Sequence, residues 1–296
     1  MSSDGELQII LKIGEKVNYN ELSNGVQTNS SNLTTEDLEW RVLGVSEKGQ
    51  LELISTKPTS GTVNLSKSNG WLNAVWRLDA TCDKLYGKGK GASSARSLKV
   101  EDVNKLGNYT PTLTKWYRYK YDATANHLQY SISNDYNPEN KVGTWTEYKN
   151  TTSETRTFQE PGKTSIDSYN TKDIAELQNT YYEYTVSSKI PSTLTTPDGI
   201  LMSALITEGL DDTNTVVSGT NKIQWLSSRC VKCTSDYASF YVRTLNSKGS
   251  VSSCFLCNST DVMSGDSKAV RPVVSLKSDV QLRKIMGIWT VSPQED

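Results

Sequence analysis

Four of the five cysteines in this 296-residue chain form two C-x-x-C pairs, and cysteines paired in this way can bind a metal ion. The pairs are CVKC at 230–233 and CFLC at 254–257. Two pairs at this separation are typical of a tetrahedral zinc site, in which each pair chelates from a tight turn. Zinc-ribbon turns commonly contain Gly or Pro, and neither pair has one. A zinc-stabilised structural module is the alternative function. Its ligands would be Cys230, Cys233, Cys254 and Cys257.

The remaining residues that could catalyse a reaction do not form a recognisable site. His127 is the single histidine, so any Ser-His or Cys-His nucleophile would depend on it alone. Asp and Glu show no placement that singles out an acid–base pair. The sequence GKGKGASS at 87–94 lacks the order of a phosphate-binding loop and follows a predicted helix, which favours an ordinary loop. We therefore expect that the protein is not an enzyme and that it has no catalytic residue, no metal ion and no cofactor.

The segment 224–276 combines regularly spaced apolar residues with residues that share no chemistry. Between Tyr237 and Arg243 the two kinds alternate with period two, as in a strand with one buried face. An ordered skeleton that carries chemically unsorted outward residues suits a binding surface, and Tyr among Ser, Thr and Asn resembles an antibody paratope. The predicted inward residues are Ala238, Phe240 and Val242, and the predicted outward residues are Tyr237, Ser239 and Tyr241.

The chemically unsorted residues of this segment are the predicted ligand contacts. Three arginines stand instead in the regular part of the pattern, and we expect them to hold loops through hydrogen bonds. These arginines are Arg229, Arg243 and Arg271. The predicted ligand contacts are Cys230, Cys233, Thr234, Asp236, Tyr237, Ser239, Tyr241, Thr244, Asn246, Ser252, Ser253, Cys254, Phe255 and Cys257.

The composition narrows the class of protein. The net charge is −1 and the basic residues are scattered among acidic ones, so we expect no nucleic-acid partner. Hydrophobic residues make up 35% of the chain, but 15 Tyr and 7 Trp supply large apolar areas for burial. We expect neither a signal peptide nor a segment that inserts into a membrane. Five cysteines cannot all form disulfides with one another, so the cysteine count does not indicate whether the protein resides in an oxidising or a reducing compartment.

Hydrophobic periodicity predicts the elements that position this segment. WRVLGV at 40–45 and LELIST at 51–56 predict a β-hairpin. A helix is predicted from about Gly70, followed by shorter helices around 100–106 and 172–181. The apolar stripe of the first helix is Trp71, Val75, Leu78, Cys82 and Leu85. Further predictions are a strand around Ile9 to Leu11, a loop over 194–218, and terminal strands in VRPVVSL and IWTVS.

The C-terminal segment resembles the variable segment of diversity-generating retroelement proteins from Gram-positive gut bacteria and their prophages. The resemblance rests on WLSSR-x-V, S-x-x-A-x-F-x-VR, S-x-G-x-V, L-x-x-S and AVRPVVSLKS. IGEKVNYN at 13–20 and CDKLYGKGKGASSARSLKVEDV at 82–103 extend it upstream. In that family a reverse transcriptase rewrites adenine-containing codons. Lys232 and Lys248 do not fit that codon rule and are left out of the contact set.

The resemblance implies an α+β fold, a C-type-lectin-like domain with a β-rich insertion. It implies an N-terminal half at 1–107, an insertion at 108–168 and a C-terminal half at 169–296. The implied function is non-catalytic ligand binding by a hypervariable surface, with a protein or glycan target. The implied location is a bacterial cell surface or a phage particle, where the anchor of the displayed protein would lie outside this chain or on a partner.

Two further activities of lectin-like folds are weaker expectations. Calcium-dependent sugar binding needs converging carboxylate and amide oxygens, which EPG at 160–162 and NPE at 137–139 only echo. An enzyme of the formylglycine-generating type shares the lectin-like fold, and it would need reactive thiols in a pocket. A cysteine pair with lowered pKa values beside a substrate-sized cleft would favour that enzyme.

Overall fold

The computed structural model shows a mixed α/β protein in which strands predominate. In the part of the chain that the structure describes, the helices are short and the strands form one large sheet and four small ones. The residues that the structure describes are 11–106, 116–122, 127–133, 142–144, 146–150, 157–158, 167–168, 223–233, 238–246, 251–258 and 262–292.

The elements follow one another along the chain in an irregular order of strands and helices. The helices are α1 (Lys67–Leu72), α2 (Ala74–Tyr86) and α3 (Val100–Leu106). The strands before residue 107 are β1 (Lys16–Asn18), β2 (Trp40–Val45), β3 (Leu51–Ser55), β4 (Val63–Ser66) and β5 (Ala92–Ser97). Those between 116 and 168 are β6 (Trp116–Asp122), β7 (His127–Ser133), β8 (Thr146–Asn150), β9 (Thr157–Phe158) and β10 (Asp167–Ser168). The C-terminal strands are β11 (Ile223–Cys233), β12 (Ala238–Asn246), β13 (Val251–Asn258), β14 (Gly265–Lys268), β15 (Pro272–Leu276), β16 (Gln281–Ile285) and β17 (Ile288–Ser292).

The large sheet has seven strands in the order β16-β17-β1-β2-β3-β15-β5. Strands β2 and β3 pair antiparallel, which confirms the predicted hairpin. Strand β1 pairs parallel with β17, so residues near both ends of the described chain meet in one sheet. Strand β15 lies between β3 and β5, and with β17 it confirms the two predicted terminal strands.

Four smaller sheets accompany the large one. Strands β11, β12 and β13 form an antiparallel sheet that carries most of the segment 224–276. Strand β4 pairs with β14, and this pair links the N-terminal and C-terminal halves of the chain. Strands β6, β7 and β8 form a separate antiparallel sheet within the range 108–168, and β9 pairs with β10. The segment 224–276 is therefore held by neighbours from distant parts of the chain.

The predicted helix from Gly70 is interrupted in the structure by Asn73. Helix α1 ends before Asn73 and α2 begins after it. The amide side chain of Asn73 donates to the carbonyl oxygen of Asn69 at 3.0 Å. The backbone amide of Asn73 also donates to this carbonyl at 3.1 Å, so the break is a local change of backbone angles, with φ −97° and ψ 4° at Asn73. The predicted apolar stripe is buried at four of its five positions, with Val75 partly exposed.

One hydrophobic core joins the large sheet, α2 and the β11–β13 sheet. Its members come from β3 and β15 on one side, from α2 in the middle, and from β11 and β12 on the other. Representative members are Leu53, Val274, Leu78, Trp225 and Phe240. A second, smaller cluster lies around α3, which confirms the short helix predicted over 100–106. The small sheet thus rests on a core that the rest of the domain completes.

Arg271 is fully buried at the entry to β15 and joins three segments. Its Nη1 donates to the carbonyl oxygens of Ser55 at 3.1 Å and Thr56 at 2.7 Å. Its Nε donates to Oε1 of Gln224 at 2.9 Å. A buried cation is tolerated only when its donors are satisfied, and here they fasten the end of β3 and the start of β11. The role predicted for Arg271 is confirmed.

Several predictions fall on residues that the structure does not describe. These are the helix at 172–181, the loop at 194–218 and most of the strand around Ile9 to Leu11. Leu11 itself is described and lies outside the strands. Within the described ranges, no helix combines the length and the apolar character needed to cross a bilayer.

Asp79 on α2 is partly buried, and its pKa is raised because burial disfavours the charged carboxylate. Lys99, the Ser227 hydroxyl, the Ser97 amide and Arg96 oppose this shift without cancelling it. The Ser97 amide donates to Oδ1 of Asp79 at 3.0 Å. The hydrogen bond of Asp79 therefore links α2 to β5. Burial of the charged carboxylate lowers the stability of the fold, by an amount that depends on pH.

We expect Arg271→Met to lower the free energy of unfolding by about 3 kcal/mol or more, because three buried acceptors lose their donor and each costs about 1–3 kcal/mol. Urea denaturation of the purified protein measures the change. Arg283→Met is the matched control, since Arg283 is exposed and its loss should change stability by less than about 0.5 kcal/mol. Equal effects of the two substitutions would contradict the proposed role of the buried guanidinium.

We expect Asp79→Asn to remove a pH dependence of stability. The folded-state pKa of Asp79 is raised above the unfolded value of about 4, so the wild-type protein loses stability as the pH rises from that value through the folded-state pKa. The variant has no carboxyl to titrate, so its free energy of unfolding should rise relative to wild type over this interval and then level off. Urea denaturation at a series of pH values tests this, with exposed Asp279→Asn as control. A difference that stays constant with pH would refute it.

Candidate ligand-binding sheet

Strand β12 is the centre of the three-stranded sheet, and its pairing decides which residues share a face. Tyr241 lies opposite Cys230 on β11 and opposite Phe255 on β13. Residues directly opposite in antiparallel strands point to the same face, so these three form one row across the sheet. The rings of Tyr241 and Phe255 meet edge to face with centroids 5.5 Å apart. Three predicted contacts from three strands are therefore brought together.

Two neighbouring rows extend this face along β12. Arg243 lies opposite Ser253, and Ser239 lies opposite Asn258. Asn258 is absent from the predicted contact set, although it follows Cys257 directly. Only the strand register reveals it, because sequence alternation alone does not show where β13 pairs with β12. We call the five predicted contacts in these rows the candidate binding face: Cys230, Ser239, Tyr241, Ser253 and Phe255.

The opposite face of the sheet packs on the core. Phe240 lies opposite Cys257, and Val242 lies opposite Cys254. Between these two pairs the register shifts at Phe240/Tyr241, so Leu256 is an extra residue in β13. Such a β-bulge reverses the alternation beyond it. Cys257 consequently points into the core, where strict alternation would have placed it beside Phe255.

The predicted contacts differ widely in exposure. Ser252 is exposed, and Tyr241, Asn246, Ser253, Cys254 and Phe255 are partly exposed. In contrast to the outward orientation expected from sequence, four predicted contacts lie in the interior of the structure: Cys230, Ser239, Thr244 and Cys257. Cys233 belongs to β11 and pairs with Ala238 through the backbone. Three further predicted contacts, Thr234, Asp236 and Tyr237, lie outside the described residues.

The cysteines do not converge in the part of the chain that the structure describes. Cys230 lies on the candidate binding face, whereas Cys254 and Cys257 lie opposite core residues on the other face. No group of three or more His, Cys, Asp or Glu side chains among the described residues is placed to hold a metal ion. Joint coordination of one zinc ion by these three thiols would therefore require the strands to pair differently.

Burial makes the thiols of this sheet weak acids. The pKa of Cys230 is raised by burial, with Arg243 and the Ser253 hydroxyl opposing the shift. Partial burial raises the pKa of Cys254 to about 11. Reactive cysteines have lowered pKa values because the thiolate is the nucleophile. Neither thiol has the lowered pKa that thiol chemistry of the formylglycine-generating type would need.

The sheet is held from below by α1 and the residues around it. Nε1 of Trp71 donates to the carbonyl oxygen of Tyr241 at 3.1 Å, and its ring packs on Phe240 with centroids 5.0 Å apart. The guanidinium of Arg229 stacks over the Trp71 ring at 4.9 Å and donates to the carbonyl oxygen of Leu72. Arg229 thus holds a backbone segment through a hydrogen bond, as predicted. Trp71 fixes the backbone at the very position of the central tyrosine.

A second anchor holds β11. Nε1 of fully buried Trp225 donates to the carbonyl oxygen of Val63 on β4 at 2.8 Å. Buried indole groups need such a partner, and the bond fixes where β11 starts. Trp71 and Trp225 therefore hold the sheet through backbone carbonyl groups, which do not depend on the side chains around Tyr241.

We expect Phe240→Ala to lower the free energy of unfolding by about 3–5 kcal/mol, because the ring is fully buried against Trp71. Ser252→Ala on the adjacent strand should change it by less than about 0.5 kcal/mol, because Ser252 is exposed. Urea denaturation of both variants measures the contrast. Equal, small effects at the two positions would refute the division into supporting and displayed residues.

Comparisons with known proteins do not indicate a family for this chain. Comparisons with models of protein families, with curated proteins and with solved structures found no match. The geometry of the β11–β13 sheet and the pattern of its sequence are therefore the observations on which a function can be based.

Proposed function

We propose that this protein is a non-catalytic ligand-binding protein whose C-terminal surface is diversified by a retroelement. The observation that carries the proposal is the cross-strand row Cys230–Tyr241–Phe255, which stands on a sheet whose other face is anchored to the core. Residues of unrelated chemistry share the face around Tyr241, while Phe240 and Val242 on the other face pack in the main core. The end of the Tyr241 face at Leu245 and Val251 is buried in the second core cluster. Such a division allows side chains to change without loss of the fold.

The exposed part of this surface has the chemistry of an adaptable contact. Tyr241 and Phe255 offer rigid aromatic area, and both side chains are partly exposed, so a ligand can contact them. Ser252 is exposed as well, but it lies opposite Thr244 and so belongs to the other face of the sheet. The buried position Cys230 would influence binding through the rings that lie beside it. The target is a protein or a glycan on a cell or particle surface.

We further propose that the domain has a C-type-lectin-like fold. A β-hairpin followed by two helical segments in the N-terminal half supports this, as does the small sheet that carries the segment 224–276. The pairing of β1 with β17 supports the lectin-like fold as well, because it brings the first and last described strands together in one sheet. In this proposal the lectin-like framework is the constant part of the protein.

Deep sequencing of codons 224–276 across the source population tests the function. We expect substitutions to concentrate at predicted contacts such as Tyr241 and Ser252. Trp225, Phe240 and Val242 should stay unchanged, because each is fully buried in the core. The framework residues upstream, such as those of β2 and β3, serve as the internal control for ordinary sequence drift.

A uniform segment in which all four paired cysteines are always present would overturn the proposal. That result would instead support the zinc-stabilised module. Substitution of Cys230 or Cys257 in a large share of sequences would exclude a zinc site built from the four cysteines.

A further inference from the structure

A polar cleft of about 740 Å³ opens on a part of the molecule that the proposed function does not use. Its walls are the turn between β2 and β3, strand β5, helix α3 and the start of β11. This volume lies within the range of small-molecule binding sites, roughly 300–1,000 Å³. None of the described residues that line it is aromatic, and charged and hydroxyl side chains predominate. The cleft is therefore suited to a polar ligand.

The floor of the cleft is a charged triad that needs no ligand. The guanidinium of Arg96 on β5 lies between Glu52 and Asp102. Its Nε and Nη2 donate to Glu52 at 3.1–3.2 Å, and its Nη1 and Nη2 donate to Asp102 at 2.6 and 2.9 Å. Nη1 also donates to the carbonyl oxygen of Ser97. Since these donors are engaged, Arg96 acts as a rigid floor rather than as an anion receptor.

Polar groups on one wall of the cleft also form hydrogen bonds with one another. The Ser228 hydroxyl accepts a hydrogen bond from the backbone amide of Val100 at 3.0 Å. It donates to Oε2 of Glu101 at 3.3 Å. The carboxylate of Glu101 is thus directed toward β11, and it keeps its negative charge because its partner is a neutral hydroxyl.

The triad has two carboxylates for one guanidinium and Glu101 adds a further negative charge, so the positive charge of the cleft is local and comes from its lysines. Lys48, Lys99 and Lys105 line it, and no described carboxylate lies within ion-pair distance of their ammonium groups. Lys99 also interacts with the carboxyl of Asp79, so less of its positive charge is available to a ligand. Glu47 on the β2–β3 turn is the remaining acidic residue of the lining. Two exposed lysines from opposite walls, Lys48 and Lys105, are therefore the residues that can meet a ligand.

We propose that this cleft binds a small organic anion that carries carboxylate or phosphate groups. Ammonium groups that have no carboxylate partner can each form a charge-assisted hydrogen bond with a carboxylate or phosphate oxygen of the ligand. The serine hydroxyls around the floor, such as that of Ser94, supply hydrogen bonds to the oxygens of such a ligand. The anion would be held between the β2–β3 turn and α3.

This site is independent of the retroelement proposal. Ser227 to Arg229 of β11 reach the cleft, but none of the predicted contact residues lines it. Anion binding in the cleft and ligand binding on the candidate binding face can therefore succeed or fail separately.

The test is thermal unfolding of the full chain in the presence of citrate or inorganic pyrophosphate, with ionic strength held constant by sodium chloride. We expect a saturable rise in Tm with at least one of the two anions, because a ligand that binds the folded state stabilises it by mass action. Lys48→Gln/Lys105→Gln should weaken the apparent affinity about tenfold or more. Lys57→Gln/Lys84→Gln removes the same charge from exposed positions outside the cleft and should bind as wild type does.

Two results would overturn the proposal. One is the absence of any saturable rise in Tm with either anion. The other is equal affinity of wild type and the cleft variant, which would show that the anion binds elsewhere. Circular dichroism checks that the variants fold, and isothermal titration calorimetry of Lys105→Gln alone repeats the comparison with a single exposed substitution. A response to citrate alone assigns a carboxylate ligand, and a response to pyrophosphate alone assigns a phosphate ligand.

Discussion

The buried guanidinium of Arg271 joins the parts of the molecule on which the other contacts depend. It holds the end of β3 and the residue before Trp225 at fixed distances from the start of β15. A charge in the interior is costly unless its donors are satisfied, so the three segments can hardly separate without a large loss of stability. These hydrogen bonds therefore fix the position of the small β11–β13 sheet relative to the large sheet. Trp225 and Trp71 then anchor the small sheet from below through indole hydrogen bonds.

The separation of supporting and displayed residues follows from this arrangement. Trp71 contacts Phe240 through its ring and Tyr241 only through the backbone. A backbone contact is indifferent to the side chain at position 241, so that side chain can change without loss of the anchor. Cys230 and Cys254 are weakly acidic because burial disfavours their thiolates. The strand register places Cys230 on one face of the sheet and Cys254 and Cys257 on the other.

The domain also shows how charged residues can be structural in one place and available in another. Arg96 is saturated by two carboxylates and a carbonyl, whereas Lys48 and Lys105 stand in the same cleft without an acidic partner in the described part of the chain. Geometry accounts for the difference. Arg96 projects from β5, the edge strand of the large sheet, between two fixed carboxylates, and the lysines project from a turn and from a short helix. A planar guanidinium suits the first role and a flexible ammonium suits the second.

Local patterns predicted much of this molecule from its amino-acid sequence. The β2–β3 hairpin, helix α3, the strands β15 and β17 and the burial of Phe240 and Val242 all follow from periodicity, because hydrophobic spacing depends only on neighbouring residues. The break at Asn73, the bulge at Leu256 and the cleft beside Arg96 did not follow. The bulge depends on how β13 pairs with β12, and the cleft depends on residues from five separate segments of the chain. Which residues share the candidate binding face was therefore decided by tertiary pairing, since an extra residue in one strand exchanges the faces of every residue beyond it.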